Sequence, residues 1–379
     1  MRNFQAGTFK THHHNKDFEY KSFIPNGINK DFDYRNNKIY NILTKAERLL
    51  GQLNAYSALI PDIDFFIIML VRKEAIKSSR IEGTQTEIDE IILPIENIQP
   101  EKLADWQEVN NYIKAIDYAI DKLKDLPLCM RLLNSTHEIL LTGVRGNSKQ
   151  PGEIRKSQYW IGGSSIESAT FIPPHYAELP QLLSDLESFW HNTAFNIPEL
   201  IKIAISHYQF ETIHPYLDGN GRIGRLLITL QFVDYKILDR PTLYISDFFE
   251  RNKGNYYDAL TIVRQNNDLE QWITFFLSGV IETAKNSSKT FKRIIELRKM
   301  YESKILQFGR LAENGGKLLL NMFSLPIITV KQASEFLNVS YNAANRLLNL
   351  FLEKGMVNVW LGKHKERRFV LNEYLALFN

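Results

Sequence analysis

"HPYLDGNGRIGR", residues 214–225, puts a histidine, an aspartate, an Asn between two glycines and two arginines within twelve positions. "DGNG" by itself is a common turn signal. Its flanks, "LIKIAISHYQFETI" before and "RIGRLLITL" after, carry helical spacing, so the turn is expected at a helix N-terminus. Unpaired backbone N–H groups and the helix dipole attract anions there. Gly219 and Gly221 let a bulky anion approach the backbone, and Arg222 and Arg225, three apart, project from one helical face to hold further phosphate oxygens. Asp218 can hold Mg²⁺ against those oxygens, because magnesium takes one or two carboxylates plus substrate phosphates. His214 is the natural general base for an attacking hydroxyl. The stretch therefore reads as a site for phosphoryl-type transfer from a nucleotide. A rival reading makes His214 a transition-metal ligand with His207 and Asp218, as in a metal phosphohydrolase, although no His-Asp dipeptide or Glu-containing metal motif accompanies it. His207 alone reads as structural.

The totals describe ordinary globular chemistry. At 379 residues, with 44% hydrophobic and 23% charged, the chain is long enough for two or three packed units and excludes disordered and fibrous classes. A net charge of +3 is too small to draw nucleic acid or anionic membrane to the whole surface. The single cysteine, Cys129, cannot form an internal disulfide, and "MRNFQAGTFK" lacks the apolar core of a signal peptide, so a cytoplasmic setting is expected. "FFIIMLV", residues 65–71, is far too short to span a bilayer and reads as a buried helix turn.

Outward from the central stretch, the pattern predicts a mainly α fold. The first forty residues are polar and turn-rich and read as an extended arm over a helical body, with His12 to His14 in a solvated loop rather than a metal site. From about residue 38 helical spacing dominates. Residues 150–174 break it: "SQYWI" and "ATFI" flank a Gly- and Ser-rich middle, which predicts a β-hairpin inserted among helices. "SKTFKRIIELRKMYESKILQ" looks like a connector helix. The tail from about 316 has two helices around "NVS", with Ser340 able to cap the second, and then a two-stranded alternation: a winged helix-turn-helix pattern. Residues 330–374 hold seven Lys or Arg against four acidic residues, centred on "KHKERR", so the tail reads as a DNA-contact, protein-contact or packing module.

"HPYLDGNGRIGR" resembles the Fic family signature H-P-F-x-D-G-N-G-R-x-x-R without a gap, with Tyr216 in place of the usual phenylalanine. "RGNSKQPGEIRKSQYWIGG" and "IPP" resemble the segment leading into that family's flap, and "RNKGNYYDAL" its adenine-side helix, so the resemblance covers roughly residues 100–285. It implies a helical core with a β-hairpin flap, and transfer of AMP from ATP to a protein hydroxyl with release of pyrophosphate. By position, His214 resembles the base, Asp218 the Mg²⁺ ligand, and the run Gly219, Asn220, Gly221, Arg222, Ile223, Gly224 and Arg225 the ATP-binding loop and helix start. Asn252 resembles the adenine-side contact. The flap, about 160–172, would present a Tyr, Thr or Ser hydroxyl of a target by strand addition. Self-modification and a homodimer are further expectations, and a membrane partner is not expected.

"SSRIEG", residues 78–83, reads alone as a helix end with Gly83 as a C-cap. Beside the Fic resemblance it fits the family's inhibitory signature, with Ser78, Glu82 and Gly83 at the fixed positions. That implies Glu82 pairs with Arg225 where the γ-phosphate of ATP belongs. The expected organisation is an N-terminal arm and inhibitory helix at 1–100, a catalytic core at 101–285, a connector at 286–315 and a winged helix-turn-helix domain at 316–379. Removal of AMP by the same site, and a nucleotide-sensing DNA-binding regulator, are the competing readings.

Overall fold

The computed structural model describes residues 4–15, 18–34, 36–361 and 366–378, the side chains of 13–15 and 18 excepted. Strands β1 (Gly7–Asn15) and β2 (Phe18–Pro25) precede helices α1 (Asn37–Ala58), α2 (Ile63–Ile81), α3 (Ile88–Ile92), α4 (Leu103–Lys122) and α5 (Met130–Leu141). After a long non-helical segment come α6 (Leu179–His191), α7 (Glu199–Ile213), α8 (Asn220–Asp234), α9 (Ser246–Arg251), α10 (Lys253–Asn266) and α11 (Leu269–Ile305). The chain closes with α12 (Ala312–Ser324), β3 (Ile327–Thr329), α13 (Val330–Leu337), α14 (Tyr341–Glu353), β4 (Asn358–Leu361), β5 (Arg367–Val370) and α15 (Asn372–Leu375). The fold is mainly α, as the spacing predicts. No helix of the described residues is long and apolar enough to cross a membrane.

Two compact units divide the chain. Met1–Gly51 and Asn111–Ala284 form the first, Gln52–Asn110 and Lys285–Asn379 the second. In the first, α7 and α8 are apolar or buried nearly all round, the mark of helices at the centre of a core. Gly224 holds them close: a Cβ there would sit 2.1 Å from Oε1 of Glu211.

One sequence expectation changes here. The N-terminal arm is an antiparallel hairpin in which Gly7 faces Pro25 and His12 faces Tyr20. The backbone of His12 to His14 thus lies in β1, not in a solvated loop. His12 stacks on Tyr20 and His175, and its Nε2 is 2.9 Å from Ser22 Oγ. Ring stacking and cross-strand pairing outweigh the polar composition that predicted a loop. The predicted flap is present in its smallest form: Ile161 and Phe171 pair, exchanging two backbone hydrogen bonds of 2.8 and 3.1 Å. Gly162 and Gly163, both at φ +71°, turn the chain out of register after that pair, and Ser165 caps a 3₁₀ turn at Ile166–Ser168. Strand β2 buttresses the flap's foot, with Phe23 N–H donating to Ile172 O at 2.9 Å and the Arg264 guanidinium 4.1 Å from the centre of the Phe171 ring.

In the second unit, α2 is packed into the C-terminal segment. Phe66 meets Phe323 and Tyr374 with ring centroids 4.9 and 6.2 Å apart, and Arg72 Nη1 donates to Ser324 O at 2.6 Å. The "FFIIMLV" run lies inside α2 with Phe66, Ile67, Met69, Leu70 and Val71 buried. In the tail, β3, β5 and β4 form one antiparallel sheet in that order, and α13 and α14 lie between β3 and β4 in sequence. Ser340 caps α14 by accepting the Ala343 N–H at 3.3 Å, as its position predicts.

Candidate active site

His214 is the residue that ends α7, held in the left-handed region at φ 51°, with its N–H still bonded to Phe210 O. Few non-glycine residues sit there, and this one turns the chain sharply into the loop that begins α8. Its imidazole stacks on Tyr159 at 5.4 Å between centroids. Gly219, at φ 75°, is the N-cap of α8, so the first backbone N–H groups of that helix lie directly after Asp218. A Cβ on Gly219 would meet the His137 ring at 3.4 Å, an ordinary contact, so it is the positive φ that calls for glycine here.

The loop is braced by residues that its sequence pattern did not single out. Arg155, 1% exposed, donates from Nε to His214 O at 2.9 Å, from Nη2 to Pro174 O at 2.6 Å and from Nη1 to Ser157 O at 3.1 Å, and its backbone N–H donates to Pro215 O. One guanidinium thus ties the end of α7 to the foot of the flap. Burial lowers its pKa to about 10, so it remains a cation at neutral pH. His137, also buried, accepts the Gly152 N–H through Nδ1. Its other nitrogen, Nε2, must therefore carry the proton that it donates to Asp218 O at 2.9 Å. Desolvation lowers the His137 pKa to about 4, which keeps this tautomer neutral.

Tyr216 explains its own departure from phenylalanine. Its ring stacks on His137 at 3.9 Å, and its buried hydroxyl donates to Asn134 Oδ1 at 2.8 Å. Asn220 staples the same loop, accepting the Tyr216 N–H with Oδ1 and donating to Tyr216 O with Nδ2, both at 2.8 Å. Its side chain serves the turn.

The predicted residues Asp218 and Arg222 are brought together at the start of α8, and Arg225 follows within the same helix. Asp218 Oδ1 accepts the Gly219 N–H at 2.6 Å and lies 3.4 Å from Arg222 Nη2. Arg222 and Arg225 are both buried, at 4% and 1% exposure, whereas the Asp218 side chain is 38% exposed. Ile223 is wholly in the core, and Gly224 faces α7. Asn252 sits where α9 meets α10, its Nδ2 donating to Phe248 O.

His207 is not a ligand. Nδ1 is 2.9 Å from Gly224 O, which can only accept, so Nε2 is left to accept the Tyr256 hydroxyl at 2.8 Å. Both nitrogens are used, and full burial lowers the pKa to about 3. Among the described residues no group of three or more His, Cys, Asp or Glu could hold a metal ion. A transition-metal hydrolase site lacks its ligand set. One half-exposed carboxylate, with both of its contacts on Oδ1, suits magnesium, which completes its shell with substrate phosphates and water.

Ser78, Glu82 and Gly83 close α2 in the second unit. Ser78 is fully buried, Glu82 is the exposed C-cap residue, and Gly83 follows at φ +109°. In the same unit, Gly362, Lys363, His364 and Lys365 of the expected basic wing tip lie outside the described residues. Of its arginines, Arg368 is buried, bonded to Asn97 at 2.7 Å and paired with Glu366 at 2.9 Å. Arg367 donates to Asn349 and lies over the Phe369 ring.

Residues 40–121 match the model of the Fic/DOC family N-terminal region, and residues 127–232 that of the Fic/DOC family itself. The chain belongs to the Fic/DOC family. It is 32% identical over 128 residues to the Protein adenylyltransferase Fic of Aedes aegypti, a match that covers 33% of the chain but only 22% of the mosquito protein. To the "Probable protein adenylyltransferase" of Aquifex aeolicus (strain VF5) it is 28% identical over 254 residues, 64% of the chain and 72% of the relative. The crystal structure of a Fic family protein from Desulfovibrio desulfuricans G20 shares the fold, with a TM-score of 0.57 at 20% identity over 90% of this chain and 98% of that one. The braced loop at 214–225 lies within the span matched to the Fic/DOC family.

Proposed function

We propose that this Fic protein transfers AMP from ATP to a hydroxyl side chain of a target protein or of itself. The observation that carries the reading is the single loop in which His214, Asp218 and the N-terminus of α8 follow one another, locked by Arg155 and His137. His214 takes the proton of the attacking Tyr, Thr or Ser hydroxyl. The oxygen forms a bond to the α-phosphorus, the bond to the β-phosphate oxygen breaks, and pyrophosphate leaves. The first N–H groups of α8 and the guanidinium groups of Arg222 and Arg225 hold the phosphates, with Asn252 on the adenine side. Mg²⁺ held by Asp218 would neutralise phosphate charge. The flap presents the target backbone beside Ile161 and Phe171.

Glu82 is the restraint in this reading, its carboxylate competing with the γ-phosphate for Arg225, while buried Ser78 anchors the end of α2. The C-terminal segment is read as a winged-helix module for protein or DNA contact. Arg368, committed to Asn97 and Glu366, packs within the unit rather than serving either contact.

The test is transfer of label from ATP labelled at the α-phosphate, with Mg²⁺, to protein by wild type, Glu82→Gly and His214→Ala. Label that rises at least tenfold in Glu82→Gly and disappears in His214→Ala supports AMP transfer together with its base and its brake. Absence of label from all three, with ATP still bound, overturns the reading in favour of AMP removal or nucleotide sensing.

A further inference from the structure

Within the second unit, a cavity of about 760 Å³ lies between α2 and the C-terminal sheet. That volume falls in the range that takes a small organic ligand. One wall is cationic: Lys73, Lys77 and Arg80 recur at helical spacing along one side of α2. The facing surface is apolar, with Ile327, Leu375 and the indole of Trp360, which is 40% exposed. Two carboxylates, Glu87 and Asp89, also line it. Glu87 is engaged by Arg80 at 2.8 Å, and Asp89 lies in the first turn of α3. The lining thus sets three cationic side chains along α2 opposite an apolar and aromatic wall. The Nε of Arg80 is buried without a hydrogen-bond partner among the described residues.

We propose that this cavity binds a small organic acid with an aromatic or apolar body, and that its occupancy acts on the inhibitory stretch Ser78–Gly83. The anionic group would lie toward α2 and the body against Trp360. The coupling follows from position: Lys77 and Arg80 flank Ser78 and precede Glu82 on the last turn of α2, so a ligand that draws on them bears on the end of the helix. This second half rests on the AMP-transfer reading, whereas the binding half does not.

The test uses the full chain and the fluorescent aromatic sulfonate anilinonaphthalene sulfonate as probe. Saturable, one-site binding is expected, weakened at least tenfold in Trp360→Ala and in the double variant Lys73→Gln, Lys77→Gln. Unsaturable emission, or equal affinity in all three proteins, overturns the site. At saturating probe, label transfer is expected to rise several-fold in wild type and to stay constant in Glu82→Gly. Bound probe with unchanged wild-type transfer, where Glu82→Gly transfers actively, overturns the coupling. Bound probe with no transfer from any variant supports the cavity and counts against the AMP-transfer reading.

Discussion

Arg155 and His214 are joined by a hydrogen bond of 2.9 Å from the guanidinium Nε to the backbone carbonyl. The same guanidinium reaches Ser157 and Pro174, so a single side chain sets both the direction of the catalytic loop and the foot of the flap.

Arg155→Ala therefore leaves several buried carbonyls unbonded. A loss on the order of 3 kcal/mol of stability is expected, with AMP transfer falling further than ATP binding. Thermal unfolding and label transfer, measured side by side with Arg155→Lys, check this. A loss of activity in Arg155→Ala that Arg155→Lys recovers in part fits a positioning role, and wild-type activity in Arg155→Ala refutes it.

His207 gives a pH dependence. Its folded-state pKa, about 3, lies below the ordinary value of 6.5, so the native state prefers the neutral ring and the unfolded chain binds the extra proton. Stability from this residue is complete above pH 6.5 and is lost as pH falls toward 3, with a slope approaching about 1.4 kcal/mol per pH unit. Denaturant midpoints across that range should fall less steeply for His207→Gln. Ring ¹⁵N spectra should show a neutral, Nδ1-protonated imidazole throughout pH 5–7, and protonation in that interval would contradict the assignment.

Gly163→Ala tests the flap apart from the core. Its backbone is at φ +71°, and a Cβ would lie 2.3 Å from Ser168 O. The turn must deform, at a local cost of about 1–2 kcal/mol, while α7 and α8 are untouched. Transfer to protein should drop with ATP affinity unchanged. A parallel fall in ATP affinity would place the flap in nucleotide binding instead.

Phe66→Ala removes a buried ring from the cluster with Phe323 and Tyr374 and should destabilise the second unit by about 3–5 kcal/mol. Because α2 ends in the stretch proposed to be inhibitory, label transfer should rise at temperatures where the first unit is still folded. Calorimetry that resolves two transitions, with only one lowered, is the check.

The helices were legible because α7 and α8 carry long apolar runs with turn chemistry between them, and His214, Asp218, Gly219 and the two arginines sit in one continuous stretch. What escaped the sequence is cooperative and distant. Arg155 acts through carbonyls, which any residue supplies, so nothing in "GEIRKS" marks its partners. His137 braces Asp218 from α5, and only its place on the apolar stripe of that helix, beside buried Leu133, Leu140 and Leu141, hinted that the ring is buried. The N-terminal hairpin was hidden by its polarity, since His12 and Tyr20 recognise each other as stacked rings rather than as apolar alternation. The flap was legible from the β-prone residues that flank it, and two successive glycines hold its pairing to Ile161 and Phe171.

Helix α2 lies early in the chain, but its aromatic partners, Phe323 and Tyr374, lie near the other end. During synthesis the residues of the first unit, which end at Ala284, leave the ribosome before those partners exist. The order of translation thus separates the birth of the catalytic unit from the completion of the helix cluster that closes on α2. Every newly made molecule passes through an interval in which residues 52–110 have no finished core to join.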